Sequence, residues 1–212
     1  PPRSTPKPSS AASDVYKRQD QPLHIYGPIR QKKMVQDMLA THEYDLKIRV
    51  EHQGTNRSLP EVVVHEIGEG PFLDVDGLKA TAFLVEHPPV DPAFGFRLDT
   101  KSRSIVVSGD TRPCENVIKN AHNVDLLVHE CMHSAKAPFL PGGGWKSAEH
   151  RIDAMARYHT FPDKLGLVAR DAKPKMLLTT HMVPFSEPWE LREIIGREFS
   201  GPIVIGEDLM TT

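Results

Sequence analysis

Cysteine, aromatic residues and long apolar runs are all scarce in this sequence. Cys114 and Cys131 are the only cysteines among 212 residues, which excludes a disulfide framework and a paired CxxC metal site. Aromatic residues make up 7% of the chain, and no apolar run approaches the roughly 20 residues that cross a bilayer. These shortages predict a soluble globular chain with no membrane partner.

An excess of basic residues is also lacking. The chain carries 26 Lys and Arg against 28 Asp and Glu, a formal net charge of −2. A protein that grips a nucleic-acid backbone usually shows a basic stripe, and none is visible here. The charge balance therefore disfavours tRNA as a tightly bound partner.

The opening residues 1–19, PPRSTPKPSSAASDVYKRQ, differ from the rest of the chain. They hold four Pro and four Ser and no leader-like apolar run, so they are not a signal peptide. SSAASDVYKRQ resembles the translation of a transposase adapter used in sequencing libraries, and PPRST resembles that of an outer flow-cell adapter. We expect residues 1–19 to be a disordered, adapter-derived artefact and residues 20–212 to enter their gene part-way through. The compartment is then unknown, with the cytoplasm slightly favoured.

Apolar periodicity predicts a layered α/β domain, with strands first and strand–helix alternation afterwards. The predicted strands are Leu23–Tyr26, Leu46–Val50, Glu61–Glu66, Lys79–Val85, Phe94–Leu98, Ser104–Ser108, Val124–Val128, Lys175–Thr180 and Pro202–Ile205. The predicted helices are Gln31–Leu39, Ser147–Tyr158, Pro162–Ala172 with Thr160 as N-cap, and Glu187–Phe199.

Three apolar strands end in a residue that can bind a metal ion: AFLVEH in His87, SIVVSGD in Asp110 and KMLLTTH in His181. Strand ends at one edge of a layered sheet are where sites in such folds gather. Imidazole and carboxylate groups suit Zn²⁺, and a carboxylate after a glycine turn is placed to bridge two ions. One such residue alone is more often a turn or core residue; the three together favour a metal site.

The segment HECMH satisfies the zinc-protease pattern HExxH, with His129, Glu130 and His133. That pattern requires a helix that places both histidines on one face. Here NVDLLV leads into the segment with strand character, so a zinc protease is only a minor alternative. Glu130 is better explained as a carboxylate that hydrogen-bonds a ligand or catalytic histidine.

Five segments, in order, resemble the metallo-β-lactamase-fold hydrolases of the ribonuclease Z and arylsulfatase-like branch. They are VEHPPVDPAFGFRL, SGDTRPCENV, VDLLVHE, YHTFPDKLGLVARDAKPKMLLTTH and GPIVIGEDLM. The resemblance runs from about Leu23 to the C-terminus. It implies an αββα sandwich, of which residues 20–212 would be the C-terminal portion without the first strands.

The resemblance also implies roles for single residues. His87, Asp110 and His181 match metal ligands, with the aspartate bridging two Zn²⁺ ions, and Mn²⁺ is the alternative metal. His159 matches a residue proposed to donate a proton to the leaving group. Glu130, assigned from the residues alone, is counted as a further catalytic residue. An imidazole is well suited to protonating an alkoxide near neutral pH. A homodimer is implied as well.

Two departures from the family qualify its activity. The HxHxDH ligand motif is not present in the sequence, so we expect the chain as printed to lack a complete dinuclear site and robust activity. Only 22 residues separate His87 from Asp110, where long-arm ribonuclease Z proteins carry a tRNA-gripping insertion. A small phosphodiester or sulfate ester is therefore the favoured substrate. The alternative from another class is a non-catalytic interaction module that keeps the fold.

Overall fold

The computed structural model describes residues 22–52, 61–132, 147–182 and 187–211. The adapter-like residues 1–19 and His133 of the HECMH segment lie outside the described residues. The chain forms two compact units, Pro1–Gly68 and Glu69–Thr212.

The first unit contains strand β1 (Leu23–Gly27), helix α1 (Gln31–Thr41), helix α2 (Glu43–His52) and strand β2 (Val62–Glu66). β1 and β2 pair in parallel, with Ile25 opposite Val64. Both strands and α1 confirm the predictions from the sequence.

The prediction of a strand at Leu46–Val50 is wrong, because these residues lie inside α2. Leu46 and Val50 are four residues apart, a spacing that fits one face of a helix as well as one face of a strand. Acidic Glu43 and Asp45 occupy the first turn of α2, where negative charge stabilises a helix. In addition, Lys47 and Glu51 form an (i, i+4) ion pair at 3.9 Å.

The second unit is built on a seven-stranded mixed sheet whose spatial order follows the chain. Strands β3 to β6 pair antiparallel and β6 to β9 pair in parallel. The strands are β3 (Gly70–Val75), β4 (Leu78–His87), β5 (Val90–Asp99), β6 (Ser104–Val107), β7 (Leu126–Glu130), β8 (Leu177–Thr180) and β9 (Ile203–Ile205). The helices are α3 (Glu115–Asn120), α4 (Ala148–Ala156), α5 (Pro162–Ala172) and α6 (Pro188–Gly196). The predicted α/β class is confirmed.

Most predicted elements of this unit are present, with three differences. Strand β3 and helix α3 have no counterpart among the predictions. Thr160 is not the N-cap of α5, because that position belongs to Phe161. The Thr160 hydroxyl instead donates to the carbonyl of Thr111 at 2.7 Å, and both threonines are fully buried. The side chain therefore joins two loops rather than capping a helix.

The core of the second unit joins the sheet to helices α3, α5 and α6. Helix α5 buries a stripe of residues at spacings of three and four, which is the pattern of an amphipathic helix against a sheet. The cluster includes Phe83, Val106, Val117, Leu127, Leu165, Val168, Leu177, Leu191 and Ile195. In the part of the chain that the structure covers, no helix combines the length and apolarity needed to cross a membrane.

Candidate functional site

The functional side chains gather at one edge of the seven-stranded sheet because four strands run in the same direction. β4 and β6 both pair antiparallel with β5, and β6, β7 and β8 pair in parallel. Their carboxyl ends therefore meet at one edge. His87 is the last residue of β4, and Glu130 is the last residue of β7. Asp110 follows β6 after a short turn, and His181 follows β8 directly. This confirms that the sequence-predicted residues share an edge.

Asp110 is positioned by a tight turn at Gly109. Gly109 has φ of +64°, and a Cβ atom at this position would lie 2.6 Å from the carbonyl oxygen of Phe94. Only glycine fits this combination of left-handed backbone and close approach. The Ser108 hydroxyl closes the turn by donating to the Gly109 carbonyl at 2.6 Å, and it accepts from the Glu130 amide at 3.2 Å. The turn is thereby tied to the end of β7.

Asp110 lies between two imidazole rings. Its Oδ2 atom is 3.7 Å from Nε2 of His87 and 3.7 Å from Nε2 of His181. The His87 side chain is 19% exposed, whereas those of Asp110 and His181 are 42% and 43% exposed. His181 has φ of +49°, a left-handed conformation that is uncommon outside glycine and that recurs at functional sites.

His159 belongs to the same cluster. One potential ligand atom from each of His87, Asp110 and His159 lies within 4.8 Å of the other two. The ring of His159 is 5.1 Å from that of His87 and 5.5 Å from that of His181, measured between centroids. Two imidazoles and a carboxylate are donors that suit Zn²⁺. The fold thus brings the three predicted metal ligands together with His159, the predicted proton donor.

Glu130 and His159 form a buried pair. His159 Nδ1 lies 2.9 Å from Glu130 Oε1, and the two side chains are 8% and 1% exposed. The same oxygen accepts from the backbone N–H of Thr111 at 2.8 Å. Because the carboxylate is an acceptor, Nδ1 of His159 carries the hydrogen and Nε2 is left for other chemistry. Glu130, which was expected to hydrogen-bond a ligand or catalytic histidine, thus contacts His159.

Two residues of the site were missed by the sequence analysis. Thr111, next to Asp110, supplies the amide that binds Glu130. Its hydroxyl also accepts from the Glu86 amide at 3.1 Å, which connects the ends of β4 and β6. Tyr158, next to His159, stacks on His87 with centroids 5.2 Å apart. Adjacency to a candidate residue was the only sequence signal for either.

His129 is not part of the cluster formed by His87, Asp110 and His159. It is fully buried within β7, and desolvation lowers the pKa of its imidazole below the ordinary value. Its Nδ1 lies 2.7 Å from the carbonyl oxygen of Glu130. β7 continues as a strand through Glu130, so His129 and Glu130 do not sit on the helix that an HExxH protease needs.

Comparison with known proteins identifies relatives across most of the chain. Residues 12–182 match the family described as Beta-lactamase superfamily domain. A protein named putative ribonuclease Z from Mycobacterium tuberculosis (strain CDC 1551 / Oshkosh) is 31% identical over 191 residues, covering 89% of this chain and 82% of the relative. Ribonuclease Z of Mycobacterium avium (strain 104) is 31% identical over 193 residues, covering 89% of this chain and 66% of the relative.

Solved structures share the fold. The metallo-beta-lactamase fold protein YhfI from Bacillus subtilis superimposes with a TM-score of 0.62 at 20% identity, covering 93% of this chain and 66% of that one. Human tRNase Z, short form, gives a TM-score of 0.58 at 20% identity, covering 92% of this chain and 69% of that one. The chain thus spans about two thirds of the length of several of the proteins it matches.

Proposed function

The chain belongs to the β-lactamase superfamily and is a hydrolase of the metallo-β-lactamase fold, and on that premise we propose that it cleaves phosphodiester bonds with the aid of two zinc ions. The observation that carries the proposal is the position of Asp110. One carboxylate oxygen lies 3.7 Å from Nε2 of His87 and from Nε2 of His181. Imidazole nitrogens and a carboxylate oxygen are donors that suit zinc. The residues therefore fit a metal site at which Asp110 and the two histidines would hold the ions.

His87, Asp110 and His181 would hold the metal in this proposal. Two zinc ions, when bound, supply Lewis-acid stabilisation of charge on the phosphoryl oxygens and lower the pKa of coordinated water. Mn²⁺ is the alternative ion. The nearness of His159 to His87 and Asp110 supports a competing assignment of His159 as a further ligand.

His159 donates the proton in our proposal. Attack by water forms a new P–O bond, and the bond to the leaving oxygen breaks. The leaving oxygen takes the Nε2 proton of His159 from a ring that carries hydrogens on both nitrogens, and the proton that the attacking water loses restores that ring after the reaction. Glu130 accepts a hydrogen bond from Nδ1–H and fixes the orientation of the ring. Asp110 and His87 would hold ions that supply charge stabilisation at the phosphoryl group.

RNA is the substrate class that the relatives favour, because the matched proteins are named ribonuclease Z. Neither of these two relatives is named for a small phosphodiester or a sulfate ester, so the expectation of a small substrate gains no support from them. One observation keeps a small phosphodiester as the second candidate: strands β5 and β6 are joined by residues 100–103 alone, with no inserted arm. We therefore propose RNA first and a small phosphodiester second.

The test measures metal content and cleavage together. Activity is measured on the protein as its gene encodes it. Wild type, Asp110→Asn and the matched surface control Asp74→Asn are assayed with a tRNA precursor and with bis(p-nitrophenyl) phosphate. We expect Asp110→Asn to lose bound zinc and at least about 100-fold in turnover, since loss of a partner of a ligand already costs about 10–100-fold. Unchanged metal and turnover in Asp110→Asn would refute the proposal, whereas a wild type without turnover on either substrate would favour a non-catalytic module.

A second comparison separates the two assignments of His159. His159→Ala and His181→Ala are titrated with zinc against a chromophoric chelator. If His159 donates a proton, His159→Ala keeps its zinc affinity and loses turnover, whereas His181→Ala loses both. Equal loss of zinc in the two variants would make His159 a ligand.

A further inference from the structure

The imidazole of His87 is bounded by two aromatic rings. The ring of Tyr158 stacks on it, with centroids 5.2 Å apart and ring planes 19° from parallel. The ring of His159 lies against it at 5.1 Å and 53°. Tyr158 and His159 also contact each other edge to face at 4.8 Å and 60°. The three rings therefore contact one another and link the end of β4 to the turn between α4 and α5.

In the described part of the chain, His87 lacks the hydrogen bond that usually orients a metal-binding histidine. Such a ring generally donates its second N–H to a carboxylate or carbonyl oxygen, which fixes the tautomer and the ring plane. His159 has that arrangement through Glu130. Nδ1 of His87 is buried and has no hydrogen-bond partner among the residues that the structure describes. Another contact therefore has to fix the plane of the His87 imidazole ring, which directs Nε2 toward Asp110.

We propose that Tyr158 is a positioning residue that orients His87 for metal binding by stacking in place of a hydrogen bond. The inference rests on the proposed function, in which His87 is a metal ligand. The Tyr158 ring is itself anchored, because its hydroxyl donates to the sulfur of Met155 in α4 at 3.4 Å. Stacking restricts rotation of the imidazole about its Cβ–Cγ bond and keeps Nε2 on the side of Asp110, 3.7 Å from Oδ2.

The proposal separates the ring of Tyr158 from its hydroxyl group. Tyr158→Phe keeps the stacking surface, whereas Tyr158→Leu keeps an apolar side chain without a ring. We expect Tyr158→Phe to bind Zn²⁺ within about 3-fold of wild type and Tyr158→Leu to bind it about 10-fold more weakly, the lower end of the loss seen when a ligand loses its orienting partner. Melting temperatures of the two variants should be similar, so a structural defect alone would not produce the difference.

The matched control is Tyr44→Leu, since Tyr44 is 79% exposed on α2 and should leave zinc affinity unchanged. Equal affinity in wild type and Tyr158→Leu would overturn the proposal, as would an equal loss in the Phe and Leu variants, which would assign the effect to the hydroxyl. If Tyr158→Leu does not fold, Tyr158→Met replaces it with the same expected loss, and wild-type affinity in that variant would equally overturn the proposal.

A separate readout distinguishes this inference from the proposed function. Failure of the wild-type protein to bind zinc would defeat the proposed function, whereas zinc binding that ignores Tyr158 would defeat only the inference. In the metal-free protein, the ¹⁵N and ¹H signals of the His87 ring report its tautomer and its motion. We expect one ordered tautomer in wild type and Tyr158→Phe, and averaged signals in Tyr158→Leu; the same ordered signals in all three would overturn the proposal.

Discussion

Glu130 Oε1 and His159 Nδ1 lie 2.9 Å apart in a region where both side chains are almost fully buried. Glu130 ends strand β7, whereas His159 lies in the turn before α5, 29 residues later in the chain. The second oxygen of Glu130 is buried and finds no hydrogen-bond partner in the described ranges. A buried carboxylate with an unused oxygen is costly, which is typical of a residue kept for function rather than for stability.

The first prediction concerns this pair. In Glu130→Gln the side chain keeps its shape and can still accept from the Thr111 amide, but its negative charge is removed. We expect turnover to fall about 10–100-fold with little change in zinc content, because proton transfer by a positioned side chain contributes about 10²–10⁴-fold. The measurement is kcat beside bound zinc.

The control for that prediction is Glu115→Gln, a change in the first turn of α3, which should leave kcat unaltered. His159→Ala should lower kcat at least as far as Glu130→Gln does, and the double variant should be no worse than His159→Ala. Full kcat in Glu130→Gln would show that the carboxylate does not act through the histidine.

The second prediction concerns the turn that aims Asp110. Gly109→Ala places a methyl group 2.6 Å from the Phe94 carbonyl oxygen in a left-handed backbone conformation. We expect the free energy of unfolding to fall by about 1–3 kcal/mol, the range for strain at a special backbone conformation, and zinc affinity to fall with it because Asp110 is displaced. Urea unfolding and chelator competition measure the two effects.

Gly196→Ala is the matched control for that prediction. A Cβ atom at Gly196, the last residue of α6, would be 4.0 Å from the nearest side-chain atom, Cδ1 of Ile203. We expect its unfolding free energy to change by less than about 1 kcal/mol, the helix-propensity difference between Gly and Ala. If Gly109→Ala is as well tolerated as Gly196→Ala, the turn is not the constraint on Asp110.

The strand ends were predictable because a period of two and a continuous apolar run are strong signals for buried strands. AFLVEH and KMLLTTH each place a histidine where a buried strand stops, and parallel strands then bring their ends to one edge. The sequence could not reveal that Tyr158 stacks on His87, since 71 positions separate the two and only the tertiary fold brings them together.

The wrong predictions for Leu46–Val50 and Thr160 have a common cause, which is that each used only a few neighbouring residues of the sequence. Leu46 and Val50 satisfy both the helical and the strand period within five residues, so periodicity could not decide, whereas the (i, i+4) ion pair from Lys47 to Glu51 favours the helix. Thr160 has the composition of an N-cap, but its hydroxyl finds a tertiary acceptor in the Thr111 carbonyl. Local preferences give way where a buried acceptor lies within reach.

The third prediction concerns Asp125, which joins the starts of three strands at the edge opposite the site. Its carboxylate accepts from the Lys175 ammonium at 2.8 Å and from the Ser104 amide at 2.7 Å. These contacts, the lysine first, lower the pKa of Asp125 from 3.8 to about 2. A lowered pKa in the folded state means that the carboxylate stabilises the protein at pH values above 3.8, and this stabilisation is lost as the pH falls through about 2.

Asp125→Asn should therefore lower the urea midpoint at pH 7, and the difference from wild type should shrink between pH 4 and pH 2. The measurement is a set of urea unfolding curves across that pH range. Asp74→Asn, which removes an exposed carboxylate 3.7 Å from Lys79, should show no such pH dependence. A midpoint difference that is equal at pH 7 and at pH 2 would contradict the assignment.

The last prediction concerns the thiol of Cys131, which follows Glu130 directly. The residue is fully buried, and desolvation, with the negative charge of Glu130 adding to it, raises the pKa of the thiol from 9.0 to about 12. Since the thiolate is the reactive form, a rise of this size leaves about 1,000-fold less of it at pH 8. In a Cys114→Ala variant, which leaves Cys131 as the only cysteine, we expect at least about 100-fold slower reaction with Ellman's reagent in the folded protein than in 8 M urea. Rapid labelling of the folded variant would show that solvent reaches the end of β7, and the burial inferred for the Glu130–His159 pair would then be wrong as well.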